Sequence, residues 1–213
     1  MKNKTLIVIT IISLLFLMHK SFSQEIDLQA KDIEFSDEQN LTIANDATAI
    51  IKKDGIIIKG KKIEYFKDKS FLLIKNGKIS STDESFKISS EIIKYKIDES
   101  NLILIKNVKL KDNINNLIME SDKIEYDLKR RKIISESLSE IIDEFNNIYK
   151  VKSFEYFIEK KIIKLDNLFA LDDNKNSFLV DLAYLDLNKK ELIAKDISTV
   201  SYTHLRAHET TRH

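Results

Sequence analysis

Ile56-Ile57-Ile58-Lys59-Gly60-Lys61-Lys62-Ile63-Glu64-Tyr65 is the stretch that decides the fold. Apolar and polar residues alternate along it, as in a half-buried strand whose successive side chains point to opposite faces. The inward positions are even at Ile56 and Ile58 but odd at Ile63 and Tyr65. The same change of parity separates Leu28 from Ile33, Ile88 from Ile93 and Met119 from Ile124. A slip of one residue turns a strand inside out, so a slip at a constant place predicts a bulge, bend or corner there. The expected structure is all-β, a roll or sandwich whose strands turn a corner and keep Ile, Leu, Phe and Tyr inside.

The stretch also belongs to a repeat. Its last three residues echo at Ile33-Glu-Phe35, Ile93-Lys-Tyr95, Ile124-Glu-Tyr126, Phe154-Glu-Tyr156 and, most weakly, Ala183-Tyr-Leu185, in steps of 29 to 31 residues. Each echo is followed by a second apolar run, such as Phe71-Leu-Leu73, Leu102-Ile-Leu104 or Ile162-Ile-Lys-Leu165. A constant period in this range marks a repeat architecture, here with about two strands per 30-residue unit. The chain has no proline and three glycines, so its turns are expected to use Asn, Asp and Lys. Turn clusters are expected at Lys53-Asp-Gly55, Asn76-Gly77, Asn113 to Asn116, Asn146-Asn147 and Asp172 to Asn176.

Both ends depart from this pattern. Lys2 and Lys4 precede a thirteen-residue stretch, Leu6 to Met18, broken only by Thr10 and Ser13, and Ser21-Phe-Ser23 supplies small residues where a signal peptidase reads. Thirteen residues of helix span about 20 Å, short of a hydrocarbon core of roughly 30 Å. Residues 1–23 are therefore expected to be a secretory signal, and the lack of cysteine excludes a lipoprotein anchor. At the other end, residues 200–213 hold three of the four histidines, in a run unlike the Lys-, Ile- and Asn-rich body. His204, His208 and Glu209 have the spacing of metal ligands on a helix, but a run so foreign in composition is not expected to be a native site. Ser201 to Thr210 resembles translated sequencing-adapter sequence, which implies that the natural chain continues past residue 199. One domain, residues 24–199, is expected between them.

Composition excludes several classes of function. The segment from 24 to 199 contains no His and no Cys, which removes Ser-His and Cys-His nucleophile pairs and the common zinc sets. No glycine-rich phosphate loop occurs, and Asp172-Asp173 is an acid pair of the kind any polar turn carries. An enzyme is not expected, nor is a cofactor. Acidic and basic residues are interspersed over a near-neutral body, so there is no footprint for nucleic acid. The densest basic cluster, Lys129-Arg-Arg-Lys132, fits either a solvated turn or a contact for anionic phosphates.

Met119-Glu-Ser-Asp-Lys-Ile-Glu-Tyr-Asp-Leu-Lys-Arg-Arg-Lys-Ile-Ile134, with its counterparts at Ile58 to Leu73 and Ile88 to Leu104, resembles the repeat of the OstA-like lipopolysaccharide transport proteins, which include periplasmic LptA and the N-terminal domain of LptD. The resemblance covers residues 24 to about 199. Typical members carry glycine before the second strand's valine; this chain has Asn76-Gly-Lys-Ile79 and Asn107-Val108 but loses the glycine in most copies. The resemblance implies an open β-jellyroll whose groove shields the acyl chains of lipopolysaccharide, with domains joined edge to edge into a periplasmic bridge. The groove would be lined by Ile33, Phe35, Ile63, Tyr65, Ile93, Tyr95, Ile124, Tyr126, Phe154 and Tyr156. Implied partners are lipopolysaccharide, other rolls adding to an edge strand near Ile26 to Phe35, and the outer membrane through a missing barrel. The later part, from Lys152 to Lys160 through Ala194 to Ile197, is more similar to LptD N-terminal domains than to LptA. A free LptA-like carrier is the alternative, and an inner-membrane-tethered LptC fits less well because the apolar leader reads as cleavable. From the residues alone, the same aromatics would serve a closed core, and a secreted β-solenoid scaffold or adhesin would share the period.

Overall fold

A computed structural model describes residues 26–171, 177–195 and 198–200. The expected signal and all of the anomalous tail beyond Val200 lie outside the described residues, as does the Asp172 to Asn176 turn. The strands are β1 (Ile26–Gln29), β2 (Asp32–Ser36), β3 (Leu41–Ile51), β4 (Ile56–Phe66), β5 (Phe71–Ser81), β6 (Phe86–Lys96), β7 (Asn101–Asp112) and β8 (Leu117–Asp127). They continue with β9 (Lys132–Ser135), β10 (Ser139–Ile142), β11 (Ile148–Val151), β12 (Ser153–Phe157), β13 (Ile162–Leu171), β14 (Ser177–Asp186), β15 (Glu191–Lys195) and β16 (Ser198–Val200). All pairings are antiparallel and join the sixteen strands into one sheet that follows the chain as a meander. The all-β roll with two strands per repeat is thus the observed fold.

Each long strand bends at its middle, where the inward parity changes. In β4 the buried positions are Ile56 and Ile58 before the bend and Ile63 after it. In β3 the change falls at Asp46 and in β5 at Asn76, both with positive φ (45° and 50°). β7 carries two such residues, Lys106 and Asn107, and the ladder to β8 shifts register there. In later repeats the bend interrupts the strand, so that β9 and β10, or β11 and β12, are its halves. The sequence placed Asn76-Gly77 in a turn between strands; the structure puts it inside β5, at the bend. An Asn side chain and a neighbouring Gly relax the same steric limit wherever the chain needs a left-handed residue.

Small residues occupy the inside of the bend. Gly60 of β4 faces Gly77 of β5, and a Cβ on Gly77 would come within 2.5 Å of Ile93 Cδ1 and 2.9 Å of Ile74 Cγ2. Ser90 and Ser121 take the position of Gly60 in the next two repeats. Their hydroxyls serve backbone groups that the bend frees from the ladder. Ser90 Oγ donates to Ile105 O (2.8 Å) and accepts from Ile105 N (3.1 Å). Ser121, Ser135 and Ser139 form a hydroxyl cluster with contacts of 2.9 and 3.0 Å.

Bending folds the sheet over, so that its two halves face each other across a continuous apolar interior. The turns at the motif end of each repeat stack. Asn40, Ser70, Ser100, Arg131, Lys161 and Lys190 all have positive φ and recur at the repeat spacing. The carbonyls of the first five accept the amides of Lys67, Ile97, Leu128, Ile158 and Leu187 in the following turn, at 2.8 to 3.1 Å. These left-handed turns use Asn, Ser, Arg and Lys in place of glycine, a wider set than the sequence suggested.

Because the interior of the bend has no room for a branched side chain, Gly77→Val is expected to destabilise the fold by ~1–3 kcal/mol through overpacking. Urea unfolding is the measurement, and an unchanged midpoint would show that the bend tolerates volume.

Candidate functional site: an aromatic ladder inside the roll

The ten candidate residues fall in two adjacent rows running across the strands. One row, read by cross-strand partners, is Phe35, Thr42, Tyr65, Leu72, Tyr95, Leu102, Tyr126, Ile133, Tyr156, Ile163 and Leu185. The repeat is two strands wide, so from Phe35 to Tyr156 an aromatic recurs at every second strand with an aliphatic or Thr side chain between, and Leu185 takes the aromatic's place in the last repeat. The neighbouring row holds Ile33, Ala44, Ile63, Ile74, Ile93, Leu104 and Ile124, and Phe154 faces Leu165 further along. Pairing of aromatic with aliphatic side chains on one face contributes to sheet stability directly.

Burial divides the ten. Ile63, Ile93, Tyr95, Ile124, Tyr126, Phe154 and Tyr156 are buried between the half-sheets, and Tyr65 is half-buried. Ile33 and Phe35 lie on β2 at the N-terminal edge, 39% and 68% exposed. Nothing among the described residues covers them from the opposite half-sheet, although the Lys67 ammonium sits 5.7 Å from the Phe35 ring.

The two half-sheets meet along a seam, and the tyrosine row borders it. The Tyr95 hydroxyl donates to the Asp54 carboxylate in the 3-10 turn Lys52–Asp54. Tyr156 donates to Asp112 (2.7 Å) and accepts from Asn115 Nδ2 (2.7 Å). Tyr126 instead packs edge-on against Phe86, with ring centroids 5.4 Å apart. Burial pushes the Tyr126 phenol up to about 12. Burial, then the negative charge and hydrogen bond of Asp112, raise Tyr156; Tyr149 is raised in the same way beside Asp143. No sequence signal marked Asp54 and Asp112, because partners 41 and 44 residues apart meet only once the sheet has folded over.

Two cavities open along the seam, of about 430 Å³ and 170 Å³. The basic cluster Lys129 to Lys132 resolves into paired surface groups. Lys129 donates to Asp98 O, Arg130 pairs with Asp127 and Lys132 with Glu155. Arg131 Nε lies 2.5 Å from Glu159 in an ion contact rather than an aligned hydrogen bond.

Residues 5–166 match the family described as Lipopolysaccharide-assembly, LptC-related. The chain belongs to that family. As an LptC-related protein it is a component of lipopolysaccharide assembly, in agreement with the OstA-like resemblance of its repeats. The match counts against the ordering that put LptC last among the transport readings. No curated protein matches the chain. Among solved structures, LptH from Pseudomonas aeruginosa, described as the LptA homologous periplasmic component of the lipopolysaccharide transport device, aligns with a TM-score of 0.47 and 19% identity, over 52% of this chain and 80% of that one.

The buried phenols make the fold sensitive to base. The unfolded chain releases phenolic protons near pH ~10, whereas Tyr126 holds its proton until about 12. Stability is therefore expected to be fully present below pH ~10 and to fall as the pH rises from there, since the unfolded state then binds fewer protons. Tyr126→Phe should flatten part of that loss. Urea midpoints on either side of pH ~10 test it, and identical slopes in the two proteins would exclude Tyr126 as a source.

Proposed function

We propose that this chain shields the acyl chains of lipopolysaccharide inside its roll, as a periplasmic bridge component that performs no chemistry. The observation that carries this reading is the double row of uncharged side chains from Ile33 and Phe35 to Phe154 and Tyr156, continuous across the repeats of a lipopolysaccharide-assembly family member. Each methylene moved from water into such an interior is worth about 0.8 kcal/mol, so a row of this length holds an acyl chain without a charged anchor. Occupancy would part the half-sheets along the seam while the sugar groups stay in solvent.

The bridge partners are other rolls, joined by strand addition. β2 pairs only with β3 among the described residues and carries the exposed Ile33 and Phe35, which makes the N-terminal edge the receiving one. A photocrosslinker at Ile93 or Ile124 should capture lipopolysaccharide in cells, and the same group at the outward Lys94 or Glu125 should not. Equal yields at all four positions would refute an interior path.

Two placements in the bridge follow from different observations. The later repeats resemble LptD, which makes the chain the periplasmic part of an outer-membrane protein. The family match begins at residue 5 and so takes in the apolar leader, which favours an LptC-like protein held at the inner membrane. The intact mass of the endogenous protein separates them. LptD requires a start at Gln24 and a chain far longer than 213 residues, LptC requires the leader retained, and a Gln24 start with a short chain leaves an LptA-like carrier.

A further inference from the structure

The seam is fastened unevenly. Tyr95 and Tyr156 each bond to a carboxylate across it, whereas Tyr126, between them in the same row, makes no hydrogen bond among the described residues. Asp83, in the turn one repeat on from Asp54, is turned instead toward its own loop, where it accepts from Ser85 N at 3.0 Å. Parting the half-sheets at Tyr95 or Tyr156 breaks a hydrogen bond between a phenol and a carboxylate. Parting them at Tyr126 breaks no hydrogen bond of that phenol and separates apolar contacts such as its ring against Phe86.

The 170 Å³ cavity lies at this gap, walled by Phe86, Leu110, Tyr126, Ile133 and Ile158. It shares Ile114, Asn115 and Lys161 with the 430 Å³ cavity, so the two adjoin. Around them the charges are matched with one exception. Arg131 meets Glu159 and Lys190 meets Glu144 at 2.8 Å. Asp112 and Asp143 accept from backbone amides and tyrosine hydroxyls of the roll. Lys161 lines both cavities, and its ammonium has no ion-pair partner among the described residues.

We propose that the break in the seam at Tyr126 is the port through which an anionic amphiphile passes its acyl chain into the roll, with its phosphate held by Lys161. The port rests on the acyl-shielding reading above and adds where the chain enters and what meets the headgroup. An ammonium paired with a phosphate oxygen is a charge-assisted bond, stronger than its neutral counterpart and selective for the anionic head.

The chain has no tryptophan, and Ile114 is 59% exposed at the mouth, so Ile114→Trp places a fluorophore there without touching the core. The probe is dodecyl phosphate below its micellar concentration, with dodecyl maltoside as the neutral comparison, titrated into the full chain. Dodecyl phosphate is expected to shift the indole emission to the blue. Adding Lys161→Glu should weaken that binding about tenfold and leave dodecyl maltoside unchanged, while Lys59→Glu on the outer face should alter neither. Lys161→Gln, which removes charge without reversing it, should fall between. An indole that does not respond, or equal losses from Lys161→Glu and Lys59→Glu, overturns the port. If lipopolysaccharide still crosslinks at Ile93 and Ile124 in that case, the port alone fails; if it does not, the acyl-shielding reading fails with it.

Discussion

Everything in this protein depends on the bend at the middle of its strands. A strand of eleven residues such as β4 or β5 buries one face only. When the inward parity changes halfway, both halves can bury their apolar residues only if the strand folds over on itself. Repeated in register, that bend turns a flat meander into two facing half-sheets that share one interior. The left-handed residues at Asp46, Asn76, Asn107 and Asn167 and the small side chains at Gly60, Gly77, Ser90 and Ser121 are what make the bend possible.

The turns stabilise that arrangement across repeats. Asn40, Ser70, Ser100, Arg131 and Lys161 each accept an amide from the next turn, so backbone groups that a hairpin would leave to solvent are satisfied by the neighbouring unit. A bonded stack also explains why these positions tolerate Ser, Arg and Lys. The strain of a left-handed non-glycine residue, roughly 1–2 kcal/mol, is offset by a hydrogen bond that exists only in the stack.

The seam is a different kind of contact from the bend. The bend lies within the backbone of each strand and is repeated, whereas the seam is made of side chains that meet only once the sheet has folded over. It joins a tyrosine of one repeat to a carboxylate some forty residues earlier, as with Tyr95 and Asp54. Such a boundary can part without loss of the sheet ladders, which is the physical requirement of the acyl shielding we propose. Its strength also varies along the row, from the bonded Tyr156 to the unbonded Tyr126.

The repeat spacing, the strand character and the place of the corner in the even-numbered long strands were legible in the sequence, because period-two alternation and its slips are local properties of the chain. So was the recurrence of the motif residues that form alternate members of the two rows, since they share a position in each repeat; the Thr42, Leu72 and Leu102 positions between them were not singled out as candidates. The bends within β3, β5 and β7 were not read, since Asn76-Gly77 looks the same in a turn between strands as in a corner within one. Nor did the sequence separate residues covered by both half-sheets from those at the edge: Phe35 and Tyr126 hold the same position in their repeats but differ in burial. By itself the sequence determined which side chains face inward along the even-numbered long strands, since that follows from parity along a single strand. Only the tertiary structure decided which of them meet across the seam and which carboxylates Tyr95 and Tyr156 find, because those contacts join residues 41 and 44 positions apart that meet only once the sheet has folded over.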